Sequence, residues 1–383
     1  HILDFMIMMP LGPQFTQIFG ISNAQFGLLV SAYTLSAGLS GVLASLGIDR
    51  FGRKRLLLWL YGLFGLATLA CGLAPGYGWL MAARIAAGVF GGVLSALSQT
   101  VVADVVPFER RGVAMGVVMT SFSVSTVAGV PLGLFLAAHW NWHLPFFAIA
   151  AFVTVLWLLI WQTFPVLDAH VHHHQGRSAW AGMAQVLGDA GHLRAFALTG
   201  TMMFAGFLVI PYITIYLQSN CGMRADQVPW IYLCGGVATL ITGRWIGRLS
   251  DRLGKARVFR CMAALLPLPL MATTLSEGWP LWALLLISTC LFTVMSGRMI
   301  PGMALVSAAA QPRLRGTFLS LNAAVQSGAM GLAALVGGLI IGRDAQGHLT
   351  HYWATGLLGS LLSLVTLWLV AQLRVHGTTT PPR

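Results

Sequence analysis

Charge is scarce in this sequence: 8% of its 383 residues are Asp, Glu, Lys or Arg, and the acids number ten. Hydrophobic residues make up 57%, with thirteen Trp and twenty Phe. No single water-soluble core hides that much apolar surface, so a soluble globular protein is excluded and a polytopic membrane protein remains. Cysteine is sparse too. Cys71, Cys221, Cys234, Cys261 and Cys290 form no CxxC pair, and four lie in apolar runs. They read as small packing residues, not as a disulfide frame or a metal site. No HExxH, GxSxG or paired carboxylate occurs within an apolar run, which argues against an enzyme. A GxxxxGK[ST] loop for nucleotide-driven work is also missing, and no cofactor is expected.

The net charge of +12 alone would suggest nucleic acid. The bases, however, gather in short clusters between apolar runs of about 20 residues, each long enough to cross a bilayer. Their expected partner is the anionic inner leaflet, not nucleic acid. The chain starts at His1 inside an apolar segment, without Met or a basic flank, which reads as a trimmed start and neither shows nor excludes a signal peptide.

Hydrophobic runs predict spans at 1–19, 26–48, 55–74, 79–104, 113–138 and 143–164, then at 195–218, 228–249, 257–276, 280–308, 317–341 and 351–373. Backbone groups in lipid must be satisfied within the segment, so the fold class is an all-α polytopic membrane protein with twelve transmembrane helices. Alternate connections carry the bases: Arg50, Arg53, Lys54 and Arg55; Arg110 and Arg111; Arg177 and Arg194; Arg252, Lys255 and Arg257; Arg313 and Arg315. The other connections hold only Arg224 and Arg343. By the positive-inside rule both termini are expected in the cytoplasm. The longest connection splits the chain into a bundle over 1–164, a cytoplasmic loop over 165–193 and a second bundle with a short tail over 194–383.

The most charged stretch, "LGIDRFGRKRLLL" from Leu46, has a weaker copy, "IGRLSDRLGKARVF", at Ile246. Asp49 and Asp251 are 202 residues apart, and Gly112 and Gly316 are 204 apart. Two similar offsets spanning an even number of helices imply a parallel repeat, as in two transporter halves.

These features resemble the major facilitator superfamily, in its twelve-helix drug:proton antiporter and sugar-efflux branch, over essentially the whole chain. Asp49, Arg50, Gly52, Arg53 and Lys54 match the signature loop between spans two and three, with Ser45 where the family usually has Gly. Asp251, Arg252 and Gly254 form its echo. Arg84 and Gly88 are similar to the Arg-xxx-Gly pattern of span four. Gly129, Pro131 and Gly133 resemble the Gly-Pro motif of the antiporter branch. The resemblance implies a cytoplasmic latch at Asp49, with Asp104 in the same gate region, and a cavity lined by spans one, four, seven and ten. It also implies a monomer and a part for Arg84 in proton handling; the compact chain without large soluble domains points to the cytoplasmic membrane of a bacterium.

Asp4, Arg84, Arg244 and Arg298 lie well inside spans, with Asp104 and Arg248 nearer the ends. Ionisable residues there are costly and are the default functional candidates. Counting from the outer ends puts Asp4 at a depth of about 22 Å, Arg298 at about 27 Å and Arg84 at about 8 Å. The expected pair is therefore Asp4 with Arg298, while Arg84 meets Gln14 or Gln17. Burial disfavours a charged carboxylate and a nearby Arg favours it, so making and breaking such a pair moves a proton. Expected cavity walls are Tyr33, Met203, Tyr212, Tyr216, Met299, Asn322 and Gln326. The run His170, His172, His173 and His174 reads as a solvated loop, and "SAWAGMAQVL" after it as an interfacial helix.

The expected function is proton-coupled efflux of a small amphipathic or apolar compound by alternating access, the partners being a small-molecule substrate, protons and the lipid bilayer. Uniport, or export of a sugar, metabolite or lysolipid, stays open, as does a transporter-fold sensor or scaffold that moves nothing.

Overall fold

A computed structural model describes residues 1–45, 52–106, 124–165, 179–311 and 314–373. Asp49, Arg50, the histidine run and the side chain of Asp104 lie outside the described residues. The chain forms the twelve-helix fold expected, and among the described residues nine helices are long and apolar enough to cross a membrane.

The first half contains span two (Asn23–Ser45), span three (Arg53–Gly72), span four (Tyr77–Val105) and span six (His143–Thr163). Spans one and five are interrupted. Span one is two short helices, Ile2–Ile7 and Gly12–Ile18, parted by turns around Pro10. Proline supplies no N–H and clashes with the preceding turn, which is why the apolar run does not continue as one helix. Span five, described from Val124, passes through a wide turn at Ser125–Gly129 and then into Val130–His139 with Pro131 in its first turn.

In the second half, span seven is the helix Ala190–Phe207, a tight turn Ile210–Tyr212 at Pro211, and the helix Ile213–Ser219. Span eight is Val228–Leu253, span nine is Lys255–Leu265 continued by Pro267–Thr274, and span ten is Leu281–Ala309 around Pro301. Span eleven (Arg315–Ile340) and span twelve (Tyr352–Ala371) flank a small hairpin, Gly342–Arg343 against Leu349–Thr350. The stretch expected at the interface is the helix Ala179–Leu187, with Trp180 67% exposed and Gly182 packed on Thr317 of span eleven.

The outer surface is apolar. Trp245 is 73% exposed, Trp282 69% and Leu339 68%, an arrangement suited to lipid and unsuited to water. Polar groups turn inward and bond across helices, as Thr199 Oγ1 does to Asn322 Oδ1 at 2.7 Å and Trp157 Nε1 to the Leu58 carbonyl at 2.8 Å.

The side on which span twelve ends, at Ala371, is called the near end, the other the far end. The two halves meet along spans two and eleven toward the far end, where small residues let backbones touch. A Cβ on Gly27 would fall 2.5 Å from the Ala334 carbonyl oxygen, and one on Gly338 2.5 Å from that of Asn23. Asn23 Nδ2 then donates to the carbonyls of Ile341 and Gly342, both at 3.3 Å.

At the near end, Gly254 joins spans eight and nine with φ 90° and ψ 134°, a conformation open essentially to glycine. Replacement by Ala meets no neighbour within 4 Å, so its cost is backbone strain alone. Gly254→Ala is expected to lower stability by about 1–3 kcal/mol, read as a lower melting temperature in detergent.

Candidate functional site

Asp4 and Arg84 meet in the interior of the first half. Arg84 Nη1 donates to Asp4 Oδ2 at 2.8 Å and to the Asp4 carbonyl at 3.2 Å, and both side chains are fully buried. The guanidinium carbon lies 4.4 Å from the centre of the Tyr33 ring, a cation–π contact. The Arg-xxx-Gly spacing explains the placement. Gly88, one turn from Arg84, lets the backbone of span two approach at Tyr33 and Ser36, which brings the Tyr33 ring over the guanidinium. Among the described residues, Asp4 Oδ1 and Arg84 Nε and Nη2 find no hydrogen-bond partner. The pair therefore holds unused polar capacity in a water-poor place.

The expected partnership of Asp4 with Arg298 is not what the structure shows. Depth counted from span ends assumes that those ends are level, and they are not. A Cβ on Gly91 would stand 3.6 Å from that of His1, so the start of span one is level with Gly91. Spans one and four run antiparallel, so Asp4 is level with about Gly88 and the long side chain of Arg84 closes the remaining turn. Arg298 is buried within the second half, where it donates to the Met202 carbonyl at 2.8 Å and to Ser363 Oγ at 3.3 Å. Ser363 passes its own hydrogen to the Ala263 carbonyl at 2.8 Å, so Arg298 ties spans seven, nine, ten and twelve. Gln14 and Gln17 do not meet Arg84 either. With Gln218 and Val228 they line a far-end recess of about 240 Å³ between the halves. Arg244 is exposed, in the near-end half of span eight.

The expected cavity residues divide. Met299 and Gln326 are half-buried, and Gln326 Nε2 reaches Met203 Sδ at 3.6 Å. Tyr33 serves Arg84, Asn322 is bonded to Thr199, and Tyr216 packs on Tyr352 at 4.6 Å. Tyr212 is fully buried in the far-end seam, beside Gly27, Gly337 and Gly338, and its hydroxyl donates to the Ala334 carbonyl. Burial in helix seams, not an open wall, is the position of these four.

Sequence reasoning missed Phe5 and Phe207. Their rings face each other across the halves at 6.1 Å and 20°, and Phe5 also stacks on Tyr33 at 5.5 Å and 21°. A signal was present: Phe5 and Phe207 are 202 residues apart, the offset of Asp49 and Asp251. Asn23 was missed as well, since a lone Asn at a helix start reads as a cap.

Of the motif residues that are described, the span-five glycines hold packing positions. A Cβ on Gly129 would fall 2.6 Å from Leu3 Cδ1, and one on Gly133 2.5 Å from Ile7 Cδ1, so both glycines seat span five against span one. Pro131 follows the wide turn between them. Gly52 caps span three, Arg53 is buried, Lys54 is half-buried, and Asp251 and Arg252 are exposed. The far-end seam yields an expected outcome: Gly27→Val forces spans two and eleven apart at Ala334 and Tyr212 and disfavours far-end closure. In a background with the native cysteines replaced, Asn23→Cys should then react faster with a water-soluble maleimide.

The family profile described as Major Facilitator Superfamily matches the chain over residues 1–211 and again over 195–383. The chain belongs to the Major Facilitator Superfamily, whose members are transporters and not enzymes. An uncharacterised transporter of that type from Bacillus subtilis, YtbD, is 25% identical over 89% of this chain and 85% of its own. A chloramphenicol efflux pump of Mycobacterium tuberculosis is 26% identical over 67% of this chain and 62% of its own. Among solved structures, a D-xylose–proton symporter superposes with a TM-score of 0.77 at 18% identity, covering 95% of this chain and 94% of its own, which is a likeness of fold.

Proposed function

We propose that this transporter is a proton-coupled exporter of a small amphipathic or apolar organic compound, working by alternating access between bundles at 1–164 and 194–383. The observation that carries this reading is the fully buried Asp4–Arg84 pair, a carboxylate with one unpartnered oxygen held by a single guanidinium. Among the described residues, the other titratable groups that interact with it are Tyr33, Cys71 and the amino group of His1. While Arg84 holds Asp4, the ionised form is compensated. When span one, broken at Pro10, shifts against span four within the first half and the pair parts, the carboxylate is left in an apolar wall, where the neutral acid is favoured, and a proton is taken up. Re-forming the pair releases it. Relatives named as a chloramphenicol efflux pump and a multidrug resistance protein support the direction and the kind of cargo.

The chain sits in a bacterial cytoplasmic membrane as a monomer with its near end inside. In support, Lys54, Arg55, Arg252, Lys255 and Arg257 stand at the near end, whereas far-end Arg224 is neutralised by Asp226 at 2.7 Å. The latch around Asp49 works at that near end.

The test is reconstituted transport of a compound panel with and without an imposed pH gradient. Accumulation that follows the gradient and collapses with a protonophore is expected. Transport indifferent to the gradient would make the protein a uniporter, and no transport of any compound would return it to the class of sensors.

A further inference from the structure

Five aromatic and charged side chains form one continuous stack from the ion pair to the opposite half. Arg84 lies over Tyr33 at 4.4 Å, Tyr33 stacks on Phe5 at 5.5 Å, and Phe5 faces Phe207 at 6.1 Å. Asp4 closes the series at Arg84. The planes stay near parallel, 21° and then 20°, so the three rings present flat faces along one direction.

The Phe5–Phe207 contact differs from the other two. It joins the two halves, on spans one and seven, which also meet where Gly12 packs on Ile215. The two residues hold equivalent places in the repeat, so they oppose each other across the axis relating the halves. Both remain partly exposed, although Tyr33 behind Phe5 is buried. An aromatic pair that is partly open and lies between two moving bodies has room to exchange its partner for another flat ring.

The charges nearby restrict that ring. Asp4 is the acid in the middle of the described spans, and Arg84 occupies it. The repeat position opposite Asp4 is Gly206, so the second half offers no acid there. A cationic ring would find no free carboxylate and would have Arg84 beneath Tyr33. Half-buried Met295, packed on Gly206 beside Phe207, and Gln326, which reaches Met203 one turn away on span seven, add soft and neutral polar surface, suited to an uncharged molecule.

We infer that Phe5 and Phe207 form the recognition site for an uncharged aromatic cargo, which stacks between spans one and seven. This rests on the exporter reading above and names its substrate class. Cargo that moves Phe5 also moves Tyr33 and loosens its hold on Arg84, so binding reaches the ion pair through the stack.

The experiment is equilibrium binding to purified protein in lipid nanodiscs, with no gradient, using chloramphenicol and 1-naphthol as uncharged rings, ethidium as a cationic ring and D-xylose as a ringless solute. The wild type is expected to bind at least one uncharged ring about tenfold more tightly than ethidium or D-xylose. Phe5→Leu and Phe207→Leu should each weaken that binding about tenfold, and Phe5→Trp should retain it. The melting temperature of each variant reports whether it folds, and the selectivity of the wild type is independent of all of them. Binding of neither ring, equal binding of ethidium or D-xylose, or unchanged affinity in both folded Leu variants overturns the inference. Because no gradient is present, loss of proton coupling alone leaves these results unaffected, so the two readings fail separately.

Discussion

Asp4→Asn is expected to reduce pH-gradient-driven efflux to the level of liposomes without protein, while exchange of the same compound down its own gradient persists. Asn keeps the shape of Asp and an oxygen that can still accept from Arg84, but it takes up no proton. The uphill step needs the titration, whereas rocking of the halves needs only the packing. Efflux assays at matched and opposed pH gradients separate the two. Uphill transport by the Asn variant at the wild-type rate would remove Asp4 from the coupling step.

Arg84→Met should produce the largest loss of stability in the molecule. Met matches the length of the Arg stem but strands the buried Asp4 carboxylate without a counter-charge. Breaking such a pair from one side costs about 3–5 kcal/mol, a deficit that detergent melting curves detect easily. The double variant Asp4→Asn/Arg84→Met removes both charges and should recover most of that loss, since a buried ion pair is often worth little against neutral residues of similar size. Strict additivity of the two single changes would mean that the 2.8 Å contact carries no coupling energy. Cation–π contact with Tyr33 supplies part of the Arg84 term, so Tyr33→Leu in the Arg84→Met background should cost less than in the wild type.

Much of the fold was legible because lipid imposes simple demands. Apolar runs of bilayer length, bases at alternate connections and a 202-residue echo between Asp49 and Asp251 together define two parallel six-helix halves. Breaks within spans were harder to read, because Pro10 and Pro211 interrupt helices without interrupting hydrophobicity. The partner of Asp4 was misjudged for a geometric reason: counting residues measures depth along one helix, and only contacts such as Gly91 with His1 show how two helices are staggered. Tyr212 illustrates a different difficulty. A tyrosine near a transporter's middle suits a cavity wall, but the glycines at 27, 337 and 338 that receive it lie far away in sequence. Phe5 and Phe207 carried the repeat offset throughout, hidden among twenty phenylalanines with no charge to mark them.

The most direct test of proton coupling at Asp4 uses purified protein in weakly buffered detergent solution. The compound that the wild type transports fastest is added, and proton release or uptake is followed with a pH dye. The wild type should exchange protons with solution as the compound binds, and Asp4→Asn should bind the same compound with no proton signal. An equal signal from the Asn variant, or wild-type binding with none, would contradict coupling through Asp4.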